Sequence, residues 1–349
     1  MEPGGAGLMR LLSLLLLALS STPTWGEVQT DLRFAVRADV PPFVWKDMGR
    51  GEFNGFFWDI CTAAVIRAGY RVGRPVEISA DQRAAFLASG EGGFDILCDP
   101  VTITLGRLRA LNERAPNLQF SPILFFAAGS SAMRGGRGIR WLDEEVAERK
   151  PCEAFIREAE GKAEEGAATG WWPPRFTPQI LKGMQIWGFV RGTTTERTVR
   201  SAAEAETGTR ICLRDFESHA ALVQAFCTGS VFRYFGDIDI VRASIRTWEK
   251  STGQNCTADL APAGPGVVPV ADSYEPYALV VAQTPAHPSL PSQIALELYG
   301  MFSDGTIDRL YAGHFQGVEP IEDLRTLFRI NAVPAGCNCD RGATRAGGR

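Results

Sequence analysis

Strand-like and helix-like hydrophobic patterns alternate along most of this chain, in two separate runs. In the first, Leu32, Phe34 and Val36 alternate with Arg33, Ala35 and Arg37, the period of a half-buried strand, and Pro41 and Pro42 end it. From Gly55 the apolar positions shift to helical spacing at Phe56, Ile60, Ala63 and Ala64, and Gly69 closes the helix. Residues 76–78 and 94–98 read as further strands. The second run starts near Gln185. There, residues 185–190, 211–213 and 231–235 read as strands, with helices opening at 192–196 and covering 219–226. Such alternation predicts an α/β fold with a mainly parallel sheet, because a helix must carry the chain back before a parallel strand can start.

Composition removes several function classes. The 349 residues are 45% hydrophobic and 22% charged, which suits a globular protein rather than a disordered chain or a membrane bundle. Lys plus Arg is 36 against 40 Asp plus Glu, so a net charge of -4 leaves no excess of positive charge for polyphosphate, and no nucleic-acid partner is expected. The length suits about two domains. Residues 11–20 form an apolar run behind Arg10, too short for the roughly 20 residues of a membrane-spanning helix, and small and turn-forming residues follow up to Gly26. Residues 1–26 therefore read as a secretory signal. Cys61 is the first cysteine, so none stands where lipid could be attached at the cut.

Eight cysteines, at 61, 98, 152, 212, 227, 256, 337 and 339, allow 105 pairings in an exported chain. Burial as small hydrophobes is the competing reading for Cys61, Cys98, Cys212 and Cys227, which sit among apolar neighbours. The three histidines, His219, His287 and His314, have no paired cysteine spacing to complete a zinc site, so neither a metal nor a cofactor is expected. Residues 135–182 separate the two runs, with a charged helical pattern over 142–165 and then Trp171-Trp172-Pro173-Pro174. This is a surface insertion, or a partner-contact surface built on the Trp pair. Asn255-Cys256-Thr257 fits a glycosylation acceptor, and residues 332–349 read as a disordered tail. Thr193 and Glu196 have capping-box spacing, which leaves other hydroxyls and the amides of a helix N-terminus free as donors for a carboxylate.

Several motifs resemble the extracellular solute-binding proteins of family 3, the amino-acid receptors of ABC importers. Asp95-Ile96-Leu97-Cys98 followed by Thr102-Ile103-Thr104 and Arg107 resembles the segment in which an arginine receives the ligand α-carboxylate. Phe120-Ser121-Pro122 resembles the entry to the hinge. Gly192-Thr193-Thr194 resembles the opposite turn that donates to the same carboxylate, Phe235-Gly236-Asp237 the strand end whose aspartate takes the ammonium, and Asp304-Gly305-Thr306-Ile307 the final helix. The resemblance implies a type 2 periplasmic-binding-protein fold, two α/β lobes joined by two hinge-crossing segments near 130–133 and 272–277. Lobe 1 would hold residues 27–131 and 275–331, and lobe 2 residues 132–274. Residues 109–119 read as an expanded loop within the first lobe.

The implied function is that of a monomeric periplasmic, non-enzymatic binding protein delivering a small polar amino acid to the membrane permease of an ABC importer. Arg37, Arg83, Thr102, Arg107, Thr194, His219 and Asp237 are the candidate ligand-binding residues, with no catalytic residue among them. An arginine is the natural partner for a carboxylate because it forms two parallel hydrogen bonds. Arginines at positions 37 and 83 resemble those of glutamate and aspartate binders. With Asp237 as the single counted counter-charge, three arginines call for a second ligand carboxylate, so an acidic amino acid or dicarboxylate is the expected ligand. Two rivals use the same scaffold: a lyase of the cyclohexadienyl dehydratase type, which needs a cleft acid and finds only Asp237, and a sensing or partner-binding protein.

Overall fold

The computed structural model describes residues 31–47, 49–134, 151–157, 160–161, 184–207, 209–256, 267–315 and 318–334. The signal segment 1–26, the Trp pair and most of the insertion 135–182, Thr257 of the acceptor sequence, Cys337, Cys339 and residues 335–349 of the tail lie outside the described residues. The strands are β1 (Asp31–Leu32), β2 (Phe34–Val36), β3 (Asp39–Val40), β4 (Val44–Lys46), β5 (Phe53–Asn54), β6 (Arg71–Val72), β7 (Val76–Glu77), β8 (Ile96–Thr102), β9 (Leu118–Phe120), β10 (Phe125–Met133), β11 (Met184–Val190), β12 (Arg210–Phe216), β13 (Arg233–Asp237) and β14 (Val267–Ala282). Between them run α1 (Phe56–Arg67), α2 (Ala80–Ser89), α3 (Leu105–Arg114), α4 (Thr194–Ala205), α5 (His219–Cys227) and α6 (Ile238–Thr252). Three more helices, α7 (Leu290–Ser303), α8 (Thr306–His314) and α9 (Glu322–Asn331), close the described chain. None of the described helices is long and apolar enough to cross a membrane.

One sheet runs in the order β12-β11-β13-β10-β14-β8-β2-β7, with β9 also on β14. Its two flanks are parallel, as the alternation predicts: β11 with β12 and β13 on one side, β2 with β7 and β8 on the other. Its middle is antiparallel, because β10 and β14 pair with each other and each pairs outward to one flank. These two strands contain both expected crossings. Every flank strand thus hangs on two strands that traverse the centre.

Successive residues of a strand face opposite sides of the sheet, and here they fall into different cores. On the first flank Phe34, Val36, Ile96, Cys98, Leu279 and Val281 join one cluster with α1 and α7, while Ala35, Leu97, Val101, Val280 and Ala282 join another with α2. On the second flank Ile186 and Tyr234 face α5 and α6, and Trp187, Phe189 and Phe235 face α4. Both faces are therefore covered, which a parallel flank requires. Residues 109–119 are not an expanded loop: α3 reaches Arg114, buries Leu111, and leaves only a short turn before β9.

Six cysteines form the disulfides Cys61–Cys98, Cys152–Cys212 and Cys227–Cys256, so burial and pairing both hold for the four apolar-flanked cysteines. Mass-spectrometric mapping of an unreduced digest should return these linkages. Replacing Cys227 and Cys256 together by Ala frees a loop with a sequence separation of 29. It should cost about 3 to 4 kcal/mol in urea unfolding by the chain-entropy relation; an unchanged midpoint would show that the bridge does not form.

Candidate functional site

The first wall of the cleft is the end of β8, all of whose residues are buried. Thr104 caps α3 by accepting from the Arg107 backbone amide at 3.1 Å, and the Arg107 side chain folds back so that Nη1 donates to the Thr102 carbonyl at 2.8 Å. Burial first, and then the neighbouring Arg83, lower the Arg107 pKa to about 10, against the opposing pull of Glu275 and Asp99. The guanidinium still carries its charge at neutral pH.

The facing wall begins at Gly192, whose φ of 70° is open to glycine at little steric cost and turns the chain from β11 into α4. The expected capping box is not made. Thr193 is the N-cap residue, but its hydroxyl donates to the Val190 carbonyl at 2.6 Å, and Glu196 accepts from the Gly192 amide at 3.1 Å and from Arg200 at 2.9 Å. The Thr194 hydroxyl is left to face the cleft. The box does occur elsewhere, at the start of α2, where Ser79 and Gln82 satisfy each other's backbone amides.

Arg37 and Arg83 sit between these walls, 2% and 5% exposed. A charge this buried needs an opposite charge, and each has one. Arg37 Nη2 donates to both oxygens of Asp39 at 2.9 and 3.1 Å, and Asp39 Oδ2 also accepts from the His219 amide at 2.6 Å. Burial alone would lower the Arg37 pKa, but Asp39 and Asp99 outweigh it and leave the group above its usual value. Arg83 Nη1 donates to Asp99 at 2.9 Å and Nη2 to the Gly192 carbonyl at 3.3 Å. Arg83 Nε and Asp99 Oδ1 are buried without a hydrogen-bond partner among the described residues.

Asp237 ends β13 with Oδ2 accepting from the Tyr277 hydroxyl and Oδ1 buried and unpartnered among the described residues. Tyr277 is held from the other side by the rings of Phe43 and Phe57. Burial, and then the charges of Glu275 and Asp239, push the Asp237 pKa well above the carboxylate range, with Arg83 pulling the other way. His219 shares its Nδ1 with the Tyr234 hydroxyl at 2.9 Å, and burial holds its pKa down at about 3, so the ring is neutral.

Arg37, Arg83, Thr102, Arg107, Thr194, His219 and Asp237 all line one cavity, together with Thr193, Thr195, Pro100 and Tyr277. Its free volume is about 20 Å³, room for a water molecule and not for an amino acid. Two of its lining hydroxyls are already engaged: Glu275 Oε2 on β14 accepts from Thr102 Oγ1 and from Thr194 Oγ1, both at 2.6 Å. Sequence reasoning missed Asp39, Asp99, Tyr277 and Glu275, and this corrects its charge count. Arg37 and Arg83 are already answered by aspartates of the chain, so they do not call for a second ligand carboxylate. Among the described residues no cluster of His, Cys, Asp or Glu is arranged for a metal.

The cost of breaking these pairs should follow their burial. Asp99 is 0% exposed, so Asp99→Ala strands the Arg83 charge and should lower stability by about 3 to 5 kcal/mol. Asp81→Ala removes an exposed partner of Arg191 and should cost at most about 1 kcal/mol. Urea unfolding of both variants checks the contrast, and equal losses would contradict it.

Comparison with known proteins follows this geometry. The family described as bacterial extracellular solute-binding proteins, family 3, matches residues 32–317. An ancestral arginine-binding protein bound to arginine is similar in structure with a TM-score of 0.53 at 22% identity, over 82% of this chain and 98% of that one. The arginine-, lysine-, histidine-binding protein of the thermophilic bacterium Geobacillus stearothermophilus gives 0.53 at 15% identity, over 85% and 100%. An ancestral amino acid-binding protein described as a precursor of cyclohexadienyl dehydratase gives 0.51 at 21%, over 82% and 96%. At such identities the likeness is one of fold. No curated protein sequence matches.

Proposed function

The chain belongs to the bacterial extracellular solute-binding proteins of family 3, and from that membership we propose that it captures a free amino acid in this cleft. Outside the cytoplasm it then presents the ligand, as a monomer, to the permease of an ABC importer. The observation that carries the reading is the pairing of two unlike seats in one cavity: Arg107 with the Thr102 and Thr194 hydroxyls for an anion, and the buried, unpartnered Asp237 Oδ1 for a cation. A zwitterion fills both. Thr102 belongs to β8 on one flank of the sheet and Thr194 to α4 on the other, so the ligand favours the closed form over the open one.

The side chain of the ligand should bring no net negative charge. Arg37 and Arg83 are matched by Asp39 and Asp99, and Glu275 adds a further carboxylate beside the anion seat. An acidic side chain would meet that repulsion while Arg37 and Arg83 are already engaged by aspartates. The similar structures that bind arginine, lysine or histidine are in keeping with this. The lyase reading is not favoured: the one raised carboxyl lining the cavity is Asp237, which this reading assigns to the ammonium.

A thermal-shift screen of the twenty amino acids on the purified protein tests the function, because a ligand at a hundred times its Kd adds about 2.7 kcal/mol of stability. Glutamine or arginine should bind more than tenfold tighter than glutamate or aspartate, and the reverse order would overturn the charge argument. By calorimetry Arg107→Ala should lose about 30- to 3,000-fold in affinity, the consequence of losing about 2 to 5 kcal/mol from one charged pair; wild-type affinity would show that the anion seat is elsewhere.

The pH dependence has a definite sign. In the ligand-free protein the raised pKa of Asp237 favours its protonated form, and an ammonium pairs only with the ionised form. Affinity should therefore rise with pH up to the Asp237 pKa and level off above it, with proton release on binding below it. Calorimetry in buffers of different ionisation enthalpy measures that release, and Asp237→Asn should abolish it.

A further inference from the structure

We infer that Glu275 is a tethered stand-in for the ligand carboxylate: it occupies the anion seat of the cleft, and a ligand enters by displacing it. The inference rests on the proposed function for the identity of the seat, and goes beyond it in assigning a competitor built into the chain.

The geometry is explicit. A threonine hydroxyl has one proton to donate. Those of Thr102 and Thr194 both go to the same oxygen, Glu275 Oε2, at 2.6 Å each, within the range of charge-assisted O–H···O bonds. Neither hydroxyl then has a proton for an incoming carboxylate, and the two oxygens are left 3.3 Å from each other. Glu275 also acts on Arg107, the third member of the anion seat, as a nearby negative charge. The cavity that Thr102, Arg107 and Thr194 line has about 20 Å³ free, too little for a ligand carboxylate while these side chains keep their places.

The backbone explains how Glu275 reaches the seat. It lies on the crossing strand β14, opposite Ala127 of β10, and two residues before Tyr277, which is opposite Thr102 of β8. Residues two apart share a face of a strand, so Glu275 and Tyr277 both project into the cleft, one onto the threonines and the other onto Asp237. A single strand thus fills the anion seat and touches the ammonium seat. Because Thr102 and Thr194 lie on opposite flanks, Glu275 also links the two walls. The Arg83 bond to the Gly192 carbonyl and the Asp39 bond to the His219 amide act in the same sense.

Removing the tethered carboxylate should leave a seat that accepts a free one. Sodium acetate, compared with sodium chloride at equal ionic strength, should raise the thermal unfolding midpoint of Glu275→Ala and leave that of wild type where chloride leaves it. Glu275→Gln, which keeps the shape and removes the charge, should respond less than Glu275→Ala, and it serves as the variant if the alanine protein does not fold. Adding Thr102→Val should abolish the response. An equal acetate effect in wild type and variant, no effect in either, or an effect that survives Thr102→Val would each overturn the inference. These measurements use no amino acid. A wild-type protein that binds an amino acid while Glu275→Ala ignores acetate would refute this inference and leave the function standing. Acetate binding with no amino-acid ligand would do the opposite.

Discussion

Three guanidinium groups cannot share a buried cleft unless carboxylates answer them, and this requirement organises the centre of the molecule. The ε-dependence of Coulomb energy makes each unpaired charge far more costly here than at the surface. Asp39 meets Arg37, Asp99 meets Arg83, and Glu275 lies near Arg107. Asp237 remains, and its burial, together with the charges of Glu275 and Asp239, outweighs the pull of Arg83 and favours its neutral form. The raised pKa of Asp237 and the paired state of the arginines are two results of one balance.

That balance was only partly legible in the sequence. The alternation of periods gave the strands of both flanks, because side chains sort by face over a few residues, and the Thr102, Arg107, Thr194 and Asp237 positions lie in local motifs. The counter-charges do not. Asp39 is two residues from Arg37 and could have been suspected from adjacency. Asp99 is 16 positions from Arg83, inside a strand buried along its whole length, where a lone acid is itself a signal of a buried partner. Glu275 is 173 positions from Thr102 and meets it only because β14 pairs with β8. Counted from motifs alone, the arginines of the cleft outnumber its acids, and the expectation of an acidic ligand rests on that count.

The same limit explains the smaller corrections. Thr193 and Glu196 have the spacing of a capping box, yet Arg200 one turn on and the Gly192 amide take the glutamate, and the threonine turns to the Val190 carbonyl. Spacing states which bonds are geometrically open; competition among neighbours decides which form. The mainly parallel sheet was correct for the flanks and wrong for the centre. Two long strands crossing between flanks must run against each other, since each enters one flank as the other leaves it.

The placement of the disulfides has a mechanical meaning. Cys61–Cys98 joins a helix and a strand of the first flank, while Cys152–Cys212 and Cys227–Cys256 lie within the second; among the described residues none ties one flank to the other. Cross-links therefore stiffen each flank as a block of its own, and what joins the flanks is the main-chain ladder of β10 and β14 with side-chain bonds such as Arg83 to the Gly192 carbonyl. Oxidation can harden each block as it forms without freezing the angle between them.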